Sequence, residues 1–388
     1  MRSLLALATV ALLLAACSEP PQTSTPAPPP KPSGPQIGSP TTASGKTRIA
    51  LLLPLSGRAA AIGQAMQQAA EMSLFDSGSR ELSLSTYDTG DSADQAVQAY
   101  TKARTEGSAL VLGPLFGPSA SALAPLVRQG GANVISFSND EKAAKPGVWV
   151  MGIAAPPQVR RVVDYAISTG IKRFAVFAPM TTYGDEMARA LKSTASARGV
   201  QVVGVEMFDP QSLDMTAAAK RLMANATGEG KLAILLPVAP PQLSAVLASL
   251  TAAGVDKDVK LIGTGVWDVP GIGADPMLRG AWYAAPDPAR RADFERRFVS
   301  TYGRPPHRLA TLAYDAVALA GQLARSKPGG DFSADAITSP NGWSGVDGPF
   351  RLLPDGRTER SLAVIEIQGD RGTVVSPAPS GFTSSIVN

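Results

Sequence analysis

The sequence predicts an α/β protein of two doubly wound, parallel-sheet lobes with a cleft between them. Three observations carry this prediction. Short apolar runs are closed by turn residues, the stretches between them repeat apolar positions at helical spacing, and the alternation runs once and restarts after Pro156-Pro157. Uninterrupted apolar runs are the pattern of parallel strands, because helices cover both faces of such a sheet.

The first series opens with residues 48–54 (RIALLLP), a strand with Ser56 and Gly57 as turn residues behind it. Ile62, Met66, Ala70 and Leu74 then recur every four residues, as one face of a helix does. Leu82, Leu84 and Thr86 read as a strand, 91–106 as a helix with an acidic start, 109–113 as a strand, 119–129 as a helix and 133–137 as a strand. The second series gives helix 158–168, strand 174–178, helix 185–198, strand 200–205, helix 214–225, strand 232–238, helix 241–252 and strand 259–263. Residues 287–326 return to helix, with Phe294, Phe298 and Tyr302 at four-residue spacing, and 362–368 with 373–375 read as a strand pair around Gly369-Asp370.

Composition removes several chemistries. Among 388 residues there is one cysteine, Cys17, and one histidine, His307. A Cys/His zinc site, a haem-thiolate, an iron–sulfur cluster or a disulfide framework cannot be assembled from these, and no metal or cofactor is expected. A Ser-His-Asp triad could run only through His307, which lies in a Pro-Pro-His-Arg helix start and reads as a surface or capping residue. With no readable nucleophile–base pair, the chain is not expected to be an enzyme. The net charge of +4 is a mild excess. Its densest basic run, Arg290, Arg291, Arg296 and Arg297, is interleaved with Asp287, Asp293 and Glu295 and reads as a solvated, ion-paired helix face, so no nucleic-acid partner is expected.

Residues 1–16 pair one basic residue, Arg2, with an apolar run from Leu4 to Ala16 that is too short to span a bilayer, and read as a signal peptide. The ending Leu14-Ala15-Ala16-Cys17 resembles a bacterial lipobox, which implies a lipidated Cys17 and a protein held to the membrane by its acyl chains. Ser18, where an Asp usually marks retention at the inner membrane, implies the inner leaflet of the outer membrane and a periplasmic body. From 17 to 45 the chain is rich in Pro, Ser, Thr and Gly and reads as an extended tether.

Ligands of open parallel sheets sit at the carboxyl ends of the strands. Those ends carry Ser56 and Gly57, then Leu115, Phe116 and Gly117, then Ser138, Asn139 and Asp140 in the first lobe; Tyr183, Trp267 and Asp268 follow in the second. These are the candidate cleft residues. Tyr183 reads equally as a packing aromatic, and Trp149, Trp282 and Trp343 read as core or lobe-interface residues. The loop GPLFGP lacks the Lys-Ser/Thr of a phosphate loop.

The motifs LLLPLSG, GPLFGPSA, TTYGDEMARAL and RPPHRLATLAYDAV, in this order, resemble the type I periplasmic-binding-protein fold of leucine-binding receptors, over nearly all of 46–388. That resemblance implies a first lobe of 46–152 plus about 283–344 and a second of 153–282 plus about 345–388. ISFSND, PGVWVMG, QVRRVVDYA and GVDGPFRLLPDGRTERSLAVIEI further resemble penicillin-binding-protein activators, envelope lipoproteins whose body keeps the receptor fold.

Two departures bear on the ligand. Amino-acid receptors of this fold usually carry a Ser where this chain has Gly117, and a small residue followed by a Thr where it has Ser138 and Asp140. A carboxylate at 140 repels an amino acid's carboxylate by on the order of a kcal/mol. An amine, a sugar-peptide fragment or no small ligand then fits better. The expectation is a regulator of peptidoglycan synthases that docks onto a penicillin-binding protein, or else a substrate-binding receptor that serves an ABC permease and closes on a small solute.

Overall fold

β1 (Thr47–Leu53) alternates between two covered faces: Ile49, Leu51 and Leu53 enter one core, Ala50 and Leu52 another. Its neighbours α1 (Ala60–Asp76), β2 (Leu82–Asp88), α2 (Ala93–Thr105), β3 (Leu110–Leu112), α3 (Gly117–Arg128), β4 (Asn133–Ser136) and β5 (Val148–Val150) complete the first lobe's five-stranded sheet. The order is β2-β1-β3-β4-β5 and every pair is parallel. The computed structural model describes residues 45–78, 80–369, 371–379 and 382, all within the unit Ser39–Asn388. The leader 1–16, Cys17 and the tether as far as residue 44 lie outside the described residues.

The second lobe is built from α4 (Ala155–Ser168), β6 (Arg173–Pro179), α5 (Thr182–Arg198), β7 (Gln201–Phe208), α6 (Thr216–Asn225), β8 (Leu232–Leu235), α7 (Gln242–Ala252), β9 (Lys260–Gly263) and β10 (Trp282–Ala285). Along β6, Phe174 and Val176 pack under α4 and α5, whereas Ala175 and Phe177 face α6 and α7. After β10 come α8 (Pro288–Tyr302), α9 (Ala310–Arg325), α10 (Ala334–Ile337), β11 (Phe350–Leu352), β12 (Thr358–Arg360), β13 (Ala363–Gln368) and β14 (Arg371–Ser376). The second sheet runs β14-β13-β10-β9-β8-β6-β7, parallel from β10 to β7, with β13 and β14 antiparallel at one edge.

α4 begins at Ala155, ahead of the expected start, because Pro156-Pro157 occupy its first turn, where a missing N–H leaves no helical bond unmade. β5 and β10 are three- and four-residue strands without a periodic signal of their own. The return helices belong to the first lobe: Tyr302 donates to the Gln68 carbonyl at 2.9 Å and Tyr314 to Asp76 at 2.8 Å, both on α1. The crossings fall later than about 283 and 345. Strand β10 still pairs within the second sheet, and Phe350 and Leu352 still pack in the first lobe's core.

One expectation about the surface is corrected. Arg296 and Arg297 pair with Asp293 on the exposed face of α8, but Arg291 is buried and pairs with Asp268 and Glu295. A buried arginine at helical spacing from acids is indistinguishable in sequence from a solvated one.

Candidate functional site

The carboxyl ends of the two sheets meet where Lys142, behind β4, reaches Glu186 on α5, with Nζ and Oε1 3.6 Å apart. On the first-lobe side the loops are fastened by their own hydrogen bonds. Asp88 Oδ1 accepts the backbone N–H of Leu55, Ser56 and Gly90, and Asp91 Oδ2 accepts that of Arg58. Burial works to raise the Asp88 carboxyl, but its hydrogen bonds outweigh that and hold it below the ordinary carboxylate range. Ser56 and Gly57 are exposed on this tied loop, and Gly57 takes a positive φ of 79° with Asp91 packed where a Cβ would stand.

In the next loops the polar groups face each other rather than open space. Ser136 donates to the Pro114 carbonyl at 2.8 Å and accepts the Ser138 N–H, while the Ser138 hydroxyl accepts the N–H of Asp140 at 3.0 Å. Ser138 is buried; Asn139 is exposed. Asp140 caps a single 3₁₀ turn by accepting the Lys142 N–H at 2.9 Å, and its side chain lies over Gly117. A Cβ on Gly117 would stand 2.9 Å from both Asp140 Cβ and Oδ2. Leu115 is buried against the first lobe's core and Phe116 is half-buried on it, so these two turn away from the cleft.

Across the boundary, Thr181 caps α5 through the Gly184 N–H, and Tyr183 in the first turn bonds the buried Thr264 hydroxyl at 2.8 Å. Burial pushes the Tyr183 phenol above its ordinary range. Trp267 does not reach the cleft. It is fully buried, its ring fills the space a side chain at Gly263 would take, and its indole N–H donates to the Val238 carbonyl at 3.0 Å. Asp268, its neighbour, is buried against Arg291 and Arg308.

Gly117 and Asp140 are thus brought together, as are Ser138 and Asn139 beside them; Trp267, Asp268, Leu115 and Phe116 serve packing or ion pairing. Sequence reasoning missed a group that straddles the boundary. Glu141, Lys142, Arg160, Glu186 and Arg189 join Asn139, already a candidate, in lining a pocket of about 310 Å³. Burial raises the Glu141 carboxyl, with Arg357 and Arg160 opposing, and burial followed by repulsion from Asp140 raises that of Glu186. The only available signal was the position of Glu186 near the start of the helix that follows β6, and charged residues there read as a solvated helix face. His307, exposed as expected, caps the turn ahead of α9 by accepting the Leu309 N–H on Nδ1.

Solved structures share this architecture, and one curated relative matches part of the chain. The uncharacterized protein RP748 of Rickettsia prowazekii is 22% identical over 227 residues, which are 57% of this chain and 61% of that protein. The chain therefore spans about three fifths of the curated relative it matches. Among solved structures, a Rhodospirillum rubrum protein assigned to branched-chain amino acid ABC transport is similar with a TM-score of 0.74 at 22% identity, covering 85% of this chain and 100% of that one. An ABC transporter solute-binding protein of Rhodopseudomonas palustris, in complex with 3,4-dihydroxybenzoic acid, has a TM-score of 0.67 at 18% identity, over 86% of this chain and 97% of its own. An ABC transporter substrate-binding protein of Desulfitobacterium hafniense in complex with Leu gives 0.67 at 19%, over 85% and 100%. At these identities the likeness establishes the fold, two α/β lobes of the type I periplasmic binding kind. The family model described as periplasmic binding protein matches residues 46–373, and the chain belongs to that family.

Proposed function

We propose that this chain is a periplasmic solute receptor that works with an ABC permease and takes, in the cleft between its lobes, a small solute bearing a cationic amine. The carrying observation is the Asp140 carboxylate seated over Gly117 at the end of β4. Neighbours of the same fold hold Leu or an aromatic acid, ligands that each present a carboxylate. Here the protein supplies that charge itself, so the complementary group on a solute is an ammonium. Tyr183, on the facing helix, offers the apolar edge against which such a solute closes.

Thermal unfolding of the protein against amines, amino acids, peptides and peptidoglycan fragments tests this. A ligand at a hundred times its Kd adds about 2.7 kcal/mol of stability. Stabilisation by an amine that Asp140→Asn removes is the expected result; silence across all four classes rejects the reading.

A second reading rests on the same loops. Their hydroxyls and carboxylate are bonded to the protein's own backbone, and the motifs from ISFSND to the GVDGPF segment resemble those of penicillin-binding-protein activators. In this reading the lobes dock onto a peptidoglycan synthase, and Cys17 with the Pro-rich tether gives reach from the outer membrane's inner leaflet. Co-purification of a synthase, together with a changed transpeptidase or glycosyltransferase rate, is its signature; neither occurs if the chain is only a receptor.

A further inference from the structure

Behind the cleft, a chain of buried charges crosses from one lobe to the other. Asp268 belongs to the second lobe, because the adjacent Trp267 is locked in that lobe's core. Its Oδ1 accepts from Arg291 Nη2 at 2.6 Å and its Oδ2 from Arg308 Nε at 2.9 Å. Both arginines move with the first lobe, since α8 and α9 are bonded to α1. Arg308 Nη1 also donates to Asp347 Oδ2 at 2.9 Å, an oxygen that takes the Thr311 hydroxyl at 2.6 Å. Asp347 lies in the connection that leads back to the second sheet, and Arg360 is the last residue of β12 before that crossing.

Arg360 is in an unusual state. Its side chain is 3% exposed, none of its three guanidinium nitrogens has a hydrogen-bond partner, and its nearest acid oxygen is Asp315 Oδ2 at 3.9 Å. It rests over the Phe350 ring at 5.0 Å. Asp315 Oδ2 and Asp347 Oδ1 are likewise buried without hydrogen-bond partners. A buried guanidinium beside two carboxylates, none of these atoms bonded, leaves desolvated charge uncompensated. A small rotation of Arg360 toward Asp315 and Asp347 would relieve it.

Charge counting permits that rotation when Asp268 leaves. Arg291 keeps Glu295, at 2.8 Å on the exposed face of α8. Without Asp268 the cluster is Arg291, Arg308 and Arg360 against Glu295, Asp315 and Asp347, three charges of each sign. We propose that this cluster is a two-position interlobe latch: Asp268 holds Arg291 and Arg308 in the lobe arrangement described, and Arg360 takes Asp315 and Asp347 when the second lobe swings away.

The latch is tested without any ligand by measuring the distance between lobes. The full chain carries Cys17→Ser so that spin labels sit only at Gln98→Cys on α2 and Lys192→Cys on α5, both exposed. Electron–electron resonance then gives the interlobe distance distribution. Asp268→Asn is expected to displace the mean by more than the wild-type width, and Arg360→Met, which removes the second position, to narrow the distribution about the arrangement described. Should Asp268→Asn not fold, Arg308→Lys, which keeps the cation but loses the forked contact, takes its place with the same expected displacement. An Asp268→Asn distribution that stays at its wild-type position, or an Arg360→Met distribution that moves in the same direction as that of Asp268→Asn, overturns the latch.

Discussion

Gly117 and Asp140 share one space: a Cβ on Gly117 would stand 2.9 Å from Asp140 Cβ and from its Oδ2. The two positions singled out by the resemblance to amino-acid receptors are therefore packed on each other: residue 117 carries no side chain and the Asp140 carboxylate fills the space. Restoring a serine at 117 alone forces the Asp140 loop to move. Gly117→Ser is expected to cost about 1–3 kcal/mol, the usual range for overpacking. In the double variant Gly117→Ser, Asp140→Gly most of that loss returns. Urea unfolding of the four proteins of this cycle measures the coupling, and additive losses would falsify the shared-space account.

Trp267 supplies a second test, because its sequence position at a strand end is that of a ligand contact while its surroundings are those of a core residue. Trp267→Ala is expected to lose about 3–5 kcal/mol through cavity formation. Gly263→Ala should also destabilise, since its Cβ would meet the indole ring at 2.3 Å. If Trp267 served a ligand instead, Trp267→Ala would keep the midpoint of unfolding and lose only binding.

The strands were legible where an apolar run alternated with a helix, as in β1 and β6. β5 and β10 are as short as β3 and β9, which were read, but only 3₁₀ turns separate them from the strands before them, so they fell outside that alternation. Within the site, Gly117 and Asp140 could each be picked out as departures, but that they touch is a tertiary fact, made by the start of α3 meeting the loop behind β4. Trp267 and Asp268 show the opposite difficulty. Adjacent in sequence, they face the second lobe's core and the first lobe's arginines, and nothing local distinguishes those directions. Arg291 was hidden in the same way, since the spacing that gives it Glu295 as a partner also gives Arg297 its exposed pairing with Asp293.

Tyr183 and Thr264 tie the first turn of α5 to the end of β9. Thr264 is fully buried, so Tyr183→Phe leaves its hydroxyl without the partner it has at 2.8 Å. The expected loss is about 1–2 kcal/mol, read as a lowered midpoint in thermal unfolding. Because the ring stays, affinity for an amine solute should change far less than in Asp140→Asn, and a larger effect on binding than on stability would make the phenol a direct ligand contact.

Asp315 gives the fold a pH dependence. Burial raises its carboxyl, with Asp347 adding repulsion against the opposing pull of Arg360, to about 7 from an ordinary 3.8. An acid raised on folding binds its proton more tightly in the folded state than in the unfolded chain. Its contribution to stability is complete below about pH 3.8, falls as pH climbs between the two values, and is gone above about 7. Asp315→Asn holds the site neutral at every pH and keeps an oxygen for the Val346 N–H, which donates to Asp315 at 2.7 Å. Subtracting the variant's urea unfolding free energy from that of the wild type at intervals from pH 4 to pH 8 isolates this one group. The difference should move against the wild type as pH rises, by on the order of a few kcal/mol across the range. A flat difference would mean that Arg360 pairs with the ionised carboxylate closely enough to offset its burial.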